Sequence, residues 1–391
     1  MTDHPLTTAP TAGASPGAPA PDRMHAPEEA KLEVASQWQL MWWKFRKHKL
    51  ALFGGLVVIA LYLVAIFAEF LAPFAPTHHN RTHVFAPPQP FGLFVDDGDG
   101  RRFQLHVKGF SVETDPVSFR RTYVVDPDRV IPVALFVETA PYTLAGFIPM
   151  QRKLFGPVNQ RDPMFIWGAD RLGRDIFSRI VYGTRISMSI GLVGVAVSLV
   201  LGILLGGISG YFGGLADTLI QRVIELLQSI PTIPLWMGLA AAIPLSMPPV
   251  QVYFIITLII SLIGWTGLAR EVRGKFYALK TEDFVTAARL DGNSELRVIT
   301  RHMVPSFASH IIATVTLAIP AMILAETSLS FLGIGLRPPV VSWGVLLQEA
   351  QNIRTVATAP WLLLPGGAVV TAVLALNFLG DGLRDAADPY A

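Results

Sequence analysis

Long apolar stretches separated by polar segments dominate the pattern of this chain. A helix needs roughly 20 apolar residues to cross about 30 Å of hydrocarbon. Six stretches qualify, at residues 50–71, 186–208, 226–245, 250–268, 311–334 and 361–379. Prolines interrupt several of them, which is tolerated where neighbouring helices satisfy the freed carbonyl groups. The pattern predicts an all-α polytopic membrane protein, a packed bundle of six transmembrane helices.

Composition supports a membrane protein and excludes several other classes. The chain is 51% hydrophobic and only 15% charged, whereas soluble domains carry about 25% charge. A net charge of +2 gives no reason to expect a nucleic-acid partner. The absence of cysteine excludes disulfides and thiolate metal sites. Residues 1–37, rich in Ala, Pro, Thr and Gly, predict a disordered cytoplasmic tail.

The distribution of Lys and Arg predicts the orientation. Four cations directly precede or begin the first span, and seven lie between the fourth and fifth spans: Lys44, Arg46, Lys47, Lys49, Arg270, Arg273, Lys275, Lys280, Arg289, Arg297 and Arg301. We therefore expect both termini and the polar insert at 270–305 to lie in the cytoplasm, and lipid to surround the spans. The segment that follows the lead-in and first helix (38–72) is then outside the cell.

That outer segment, residues 73–165, has strand-like patterns. Residues 102–107 alternate strictly, and residues 122–125 and 133–137 are also typical of strands. An acidic turn at 96–100 resembles hairpin chemistry and lacks the spacing of a calcium loop, so we expect a solvated turn and no metal. We predict a small β-rich extracytoplasmic insert between the first and second spans. Apolar spacing over 167–187 favours an amphipathic helix at the outer membrane surface.

The cytoplasmic segment 281–305 reads as two short helices. Thr281 is a candidate N-cap, Gly292 suits the left-handed end of the first helix, and Ser294 suits the start of the second, which ends near Pro305. One face of the first helix is expected to carry Phe284, Ala287, Ala288 and Asp291. The residues alone leave two uses open: a unit that docks a moving partner, or an amphipathic linker on the lipid.

A resemblance bears on that choice. Thr286-Ala-Ala-Arg-Leu-Asp-Gly292, followed by His302 and Pro305, resembles the EAA loop of ABC-importer permeases. In that family the loop forms the coupling helices that insert into the ATP-binding subunits. Thr286 stands where the general consensus has Glu, which puts one salt bridge to the ATPase in doubt.

Further motifs narrow the resemblance to the C-type permease subunit of the dipeptide/oligopeptide/nickel family. They are Gly168-Ala-Asp-Arg-Leu-Gly-Arg-Asp175, Tyr182-Gly-Thr-Arg-Ile-Ser187, Gly210-Tyr-Phe-Gly-Gly214, Glu326-Thr-Ser-Leu-Ser-Phe-Leu-Gly-Ile-Gly335, Ser342-Trp-Gly-Val345 and Gly380-Asp-Gly-Leu-Arg-Asp385 with Asp388-Pro389. The resemblance implies a type I ABC importer permease fold, with residues 166–391 as a transmembrane domain of five helices.

The resemblance also implies partners and a location. These are a homologous second permease, two ATPase subunits that bind ATP and Mg, and an extracytoplasmic solute-binding protein. The chain would then hold no cofactor, form half of a pore for peptides or similar solutes, and lie in the bacterial inner membrane. The alternative is a secondary transporter or channel without an ATPase, although the sequence shows no convincing inverted repeat.

Catalytic motifs are missing from the sequence. It contains no G-x-x-x-x-G-K-[ST] or H-E-x-x-H pattern, and its one G-x-S-x-G match, at 13–17, lies in the predicted disordered tail and not at a nucleophile elbow. We therefore expect a non-catalytic subunit. Glu326 falls inside the fifth span, where an ionisable group is costly and by default suggests a function. Two interpretations stay open. Glu326, with Ser328, lines the pore or gate, or Glu326 sits near the outer surface or is bonded within the bundle.

Overall fold

A computed structural model describes residues 37–96, 100–114, 116–117 and 121–387. The predicted tail before residue 37, the centre of the acidic turn and the final Asp388-Pro389 lie outside the described residues. The helices are α1 (Gln37–Lys47), α2 (Lys49–Ile66), α3 (Ala68–Leu71), α4 (Ile176–Phe212), α5 (Gly214–Ser229), α6 (Thr232–Ala241), α7 (Pro249–Leu279), α8 (Asp283–Leu290), α9 (Glu295–Arg297), α10 (Val304–Ser306), α11 (Ala308–Phe331), α12 (Trp343–Leu347), α13 (Ile353–Thr358) and α14 (Leu364–Ala387). A π-helical turn, Val298–Met303, links α9 to α10, and 3-10 turns at Gln348–Gln351 and Pro360–Leu363 precede α13 and α14.

Within the described ranges, five helical segments are long and apolar enough to cross a membrane. They are α2, α4, α7, α11 and α14 with its preceding turn, and they cover five of the six predicted stretches. The sixth, predicted at 226–245, is not one straight helix. It falls on α5 and α6, which meet at 88° and count as a span only as a bent pair.

The bend has a local cause at Pro231. Proline disfavours helical backbone in the residue before it, and Ile230 is extended with ψ of 130°. A bidentate ion pair then fixes α5 against α7: Arg273 Nε lies 2.6 Å from Asp217 Oδ1 and Nη2 lies 2.7 Å from Oδ2. The sequence predicts a third span broken by prolines. The structure shows the break at Pro231 as a sharp change of direction between two helices.

The centre of the bundle is the contact between α4 and α7, the most extensive helix pair of the described chain. Glycines of α4 allow it. A Cβ on Gly202 would lie 2.8 Å from Leu268, and one on Gly206 would overlap the carbonyl of Ala269. Small residues let helix backbones approach where no hydrophobic force acts between helices in lipid.

The segment between α3 and α4 contains a four-stranded antiparallel sheet in the order β1-β2-β3-β4. Its strands are β1 (Phe91–Asp96), β2 (Arg101–Thr114), β3 (Arg121–Leu144) and β4 (Ile148–Pro157). The first half of the long strand β3 pairs with β2 and its second half pairs with β4. All three predicted strand-like segments lie within β2 or β3. Burial does not follow the predicted alternation, because Phe103 is 66% exposed and the adjacent His106 and Val107 are both buried. That the sheet lies outside the cell stays a prediction, as do the domain limits drawn from the sequence.

The predicted amphipathic helix over 167–187 is only half present. Helix α4 begins at Ile176, capped by Asp175 Oδ2 accepting from Ser178 N at 2.7 Å. The residues before it form a turn, since Asp170 Oδ1 accepts from Leu172 N at 2.8 Å. Gly173 has φ of 72° and ends helical geometry there. Local side-chain bonds compete with helix formation, so apolar spacing alone was misleading.

Candidate functional site

Residues 281–305, here called the 281–305 unit, are fastened to the ends of the two central helices. Val285, Val298 and Met303 of the unit are fully buried. They pack in one apolar cluster with Phe276 of α7 and Tyr211 of α4. Each such side chain contributes about 1.5–3 kcal/mol when removed from water. The unit is therefore held firmly to α4 and α7.

A contact between Arg289 and Tyr211 also fixes the orientation of the unit. Arg289 Nε lies 3.3 Å from the hydroxyl of Tyr211, and its guanidinium lies 5.1 Å from the centre of the same ring. Phe276 and Phe307 pack edge to face with ring centres 5.7 Å apart, which joins the far end of the unit to α7. Aromatic and cation–π contacts are directional, so they fix the angle of the unit as well as its position.

The remaining side chains of the unit form an outward surface. Phe284 is 41% exposed, Leu290 83% and Leu296 70%. The predicted contact residues on this surface are Thr286, Ala287, Asp291, Gly292 and Pro305, all exposed, whereas His302 is partly buried. Large apolar side chains exposed together mark a surface that another molecule covers.

Two details differ from the sequence expectation. Ala288 does not share the outward face with Phe284 and Ala287, because it is 5% exposed and packs beside Val285. The N-cap of α8 is Glu282 rather than Thr281, and no side chain bonds the first turn. Spacing along a helix identifies residues that share a face but not which face the rest of the chain covers.

Gly292 ends α8 as predicted. Its φ is 75°, in the left-handed region, and its N–H donates to Arg289 O at 3.0 Å. Asn293 Nδ2 donates to Ala288 O at 2.9 Å and satisfies a further helix-end carbonyl. A Cβ at Gly292 would meet no atom within 4 Å, so the position is open toward the outward surface.

Glu326, the second predicted site, lies at the centre of a buried hydroxyl network. Its Oε1 accepts from Ser342 Oγ at 2.7 Å and Ser330 Oγ at 2.8 Å. Its Oε2 accepts from Ser187 Oγ at 3.4 Å. All four side chains are 0% exposed. The carboxyl group thus joins α4, α11 and the start of α12, and we name these four residues the Glu326 clasp.

Each serine of the clasp also accepts a backbone N–H. Trp343 N donates to Ser187 Oγ at 3.1 Å, Val345 N to Ser342 Oγ at 3.2 Å and Leu336 N to Ser330 Oγ at 3.0 Å. The clasp therefore fixes the backbone of the segment that follows α11. Ser328, in contrast, is exposed, and its hydroxyl donates to Leu324 O at 2.7 Å within the helix. The structure does not bring Ser328 and Glu326 onto one surface, and a pore or gate role for either stays a prediction.

A third cluster was missed by the sequence reading. Asp170, 0% exposed, binds Arg174 Nε at 2.6 Å and also binds Arg179. Glu349 completes the cluster, with its Oε1 3.3 Å from Arg174 Nη2 and 3.4 Å from Arg171 Nε. These ion pairs hold the turn before α4 to the segment after α12. The five charged residues at 170–179 were visible in the sequence, but Glu349, far along the chain, gave no signal.

Burial raises the pKa of two carboxyl groups in this region. It raises the pKa of Asp175, which caps α4, to about 6. Burial, reinforced by the charge of Asp170, also raises the pKa of Glu349 above its ordinary value. Removal from water disfavours the ionised carboxylate. Asp175 Oδ1 is buried and has no hydrogen-bond partner, which adds to that cost.

Comparison with known proteins gives matches at both ends of the chain. A family model described as binding-protein-dependent transport system inner membrane component matches residues 199–390. A second, described as the N-terminal TM domain of oligopeptide transport permease C, matches residues 36–88.

Individual relatives extend over more of the chain. The dipeptide transport system permease protein DppC of Haemophilus influenzae is 30% identical over 352 residues, 90% of this chain and 94% of that protein. DppC of Bacillus subtilis is 36% identical over 57% of this chain and 68% of that protein. The oligopeptide transport system permease protein OppC of Haemophilus influenzae is 38% identical over 57% of this chain and 70% of that protein.

Proposed function

Because the chain belongs to the ABC-importer permeases of the dipeptide and oligopeptide family, as a C-type subunit, we propose that it forms half of the translocation pore for peptides or similar small solutes. Permeases of this family are non-catalytic membrane components. Energy for transport must then come from a partner. That partner must act on a surface of this chain.

The 281–305 unit is the observation on which this proposal depends. It combines a rigid attachment to α4 and α7 with an outward apolar surface around Leu290 and Leu296. A helix seated in a groove of a moving partner must follow it, and a rigid attachment passes that movement to the bundle. We assign ATPase coupling to Phe284, Thr286, Ala287, Asp291 and Gly292 as direct contacts. Ala288 supports them from the buried side, and His302 and Pro305 close the unit.

The full assembly follows from the family. We propose a homologous second permease, two ATPase subunits that hold ATP and Mg, and an extracytoplasmic solute-binding protein. With the 281–305 unit on the ATPase side, both termini are cytoplasmic and the sheet between α3 and α4 faces the solute-binding protein's compartment. The excess of Lys and Arg around α1 and after α7 supports this orientation. The membrane is the bacterial inner membrane.

Peptide is the proposed substrate class because dipeptide and oligopeptide permeases are the similar proteins. Glu326 and Ser328 are proposed at the pore or its gate, Glu326 by fixing the backbone around it. A secondary transporter or channel needs no ATPase, so it leaves the exposed surface of the 281–305 unit without a use. The coupling test below therefore separates the two functions.

The decisive experiment alters the outward surface without touching its anchors. In the reconstituted complex, Leu290→Glu replaces an 83% exposed leucine of the unit. Burying a carboxylate in place of a leucine costs well over the ~1.4 kcal/mol that corresponds to a tenfold change in affinity. We expect ATPase subunits to be retained at least about tenfold less well, with a matching loss of substrate-stimulated ATP hydrolysis and of labelled-dipeptide uptake.

A matched control lies at the other end of α7. Leu245, in the turn before that helix, is also 83% exposed, and Leu245→Glu adds the same charge at the opposite side of the bundle. We expect this variant to retain its ATPase subunits. If Leu290→Glu kept both the subunits and normal stimulated hydrolysis, coupling through the 281–305 unit would be refuted. If the parent complex bound no ATPase at all, the secondary-transporter alternative would stand.

A further inference from the structure

The hairpin between β3 and β4 ends beside the last turn of the first spanning helix. Ala145 N donates to Glu69 Oε2 at 3.4 Å, and Glu69 lies on α3, directly after α2. Arg185 of α4 binds Glu69 and also donates to Ala65 O at 2.8 Å, at the end of α2. The hairpin tip, residues 144–148, is therefore level with the point where α2 stops.

The tip is apolar where water-facing hairpins are polar. Residues 144–150 read Leu-Ala-Gly-Phe-Ile-Pro-Met and contain no charge. Phe147 is 75% exposed and Ile148 is 44% exposed. Tight hairpin turns with positive φ at their central residues are usually Asn-Gly or Asp-Gly, whereas here Ala145 and Gly146 occupy them, with φ of 51° and 86°. Residues 145–149 are all exposed, whereas Leu144 is buried. A run of exposed apolar residues of this length is a defect in water unless it has a function.

The apolar surface of the tip continues into that of the spanning helix. Phe136 of β3 is 57% exposed and its ring lies 6.4 Å from that of Phe70 on α3. Ile66 and Phe67, at the end of α2, are 51% and 40% exposed. A spanning helix with an exposed apolar face presents it to lipid, so the neighbouring aromatic side chains of the sheet meet the same surroundings.

Polar groups begin immediately beyond this apolar zone. Arg152 and Glu138 form an exposed ion pair at 3.0 Å. Lys153 Nζ donates to Ala72 O at 2.7 Å and lies 5.6 Å from the ring centre of Tyr142. A tyrosine and basic side chains next to exposed phenylalanines reproduce the order of chemistry found across a membrane–water boundary.

We propose that residues 144–148 insert into the interfacial layer of the lipid bilayer and anchor the β-sheet to the membrane beside α2. The partner is the acyl and headgroup region of the bilayer. This contact joins the sheet to the membrane separately from the spanning helices. It does not depend on which substrate the chain transports. Phe147 and Ile148 supply the inserted side chains, and the Glu69–Arg185 pair sets their depth.

The chain contains no cysteine, so one introduced cysteine gives the purified chain a single site that is labelled before the transporter is assembled. The assembled transporter in lipid nanodiscs would carry a nitroxide at Phe147→Cys, or at Ile148→Cys as an independent repeat. A matched control is Val158→Cys, 58% exposed and just past the far end of β4, about 30 Å along the strand at 3.3 Å per residue. Leu63→Cys, on the exposed face of α2, serves as the lipid reference.

The readout is collision of the nitroxide with oxygen, which concentrates in lipid, and with a water-soluble nickel chelate. We expect the oxygen-to-nickel ratio at 147 and 148 to be at least several-fold higher than at 158 and to approach that at 63. A ratio equal to that at 158 places the tip in water and overturns the proposal. Low collision rates with both reagents show that a protein partner covers the tip, which overturns it as well.

Discussion

The Glu326 clasp predicts different outcomes for two substitutions of the same residue. Glu326→Ala removes the acceptor of three buried hydroxyls and leaves a cavity between α4, α11 and α12. Each lost hydrogen bond costs about 1 kcal/mol, more if the acceptor is charged, and the cavity adds to this. We expect a loss of roughly 3–5 kcal/mol, which corresponds to a fall in Tm of about 5–10 °C.

Glu326→Gln keeps most of the network. Its amide oxygen can still accept from Ser330 and Ser342, and its NH2 group can donate to the free lone pair of Ser187 Oγ. None of the ion pairs in the described part of the chain includes Glu326, so no buried cation is left unpaired. We expect the free energy of unfolding of Glu326→Gln to lie within about 1 kcal/mol of that of the parent protein.

The assay is thermal unfolding of the purified complex together with dipeptide uptake. Ser328→Ala, which removes an exposed hydroxyl from the same helix, is the matched control and should leave Tm unchanged. If Glu326→Ala also melted like the parent, or if Glu326→Gln were as unstable as Glu326→Ala, the hydrogen-bond reasoning would be refuted. A Glu326→Gln variant that is stable but does not transport would instead show that a titratable group at the pore is required.

Two further predictions concern stability. The pKa of Asp175 is raised to about 6 from 3.8; because the folded-state value is the higher one, stability falls as pH rises from about 4 to 6. Two pKa units correspond to about 3 kcal/mol, so Asp175→Asn should raise Tm at pH 7.5 and not at pH 4, and an equal gain at both would contradict the assignment. Gly206→Ala should cost about 1–3 kcal/mol by overpacking against the carbonyl of Ala269. Gly207→Ala, whose Cβ would lie 3.4 Å from its nearest neighbour, should be tolerated in the same melting assay.

The features that could be predicted from the sequence depend on the periodicity or the length of a single segment. Five spans follow from apolar runs of sufficient length. Parts of β2 and β3 follow from the alternation of apolar and polar residues over 102–107 and from the strand-like sequences 122–125 and 133–137. Gly292 could be assigned because a left-handed residue after a short helix is a local requirement.

The features that could not be predicted depend on contacts between distant residues. The inward position of Ala288 is set by its packing in the cluster that contains Phe276 and Tyr211. Glu349 and Asp170 both bind Arg174, although they are separated by nearly half of the chain. Spacing cannot distinguish a helix face that meets solvent from one that meets the rest of the protein.

The glycine-mediated contact between α4 and α7 has a mechanical consequence. With backbone so close to backbone, the two helices cannot slide past each other and behave as one stiff beam. Helix α7 has 31 residues, or about 47 Å at 1.5 Å per residue. A tilt of about 10° at the end that carries the 281–305 unit would displace the opposite end by roughly 8 Å, by simple geometry of a rod of that length. A small movement of the 281–305 unit at one membrane face would thus displace the opposite end of the helix pair by several ångströms. No helix would need to change its internal structure.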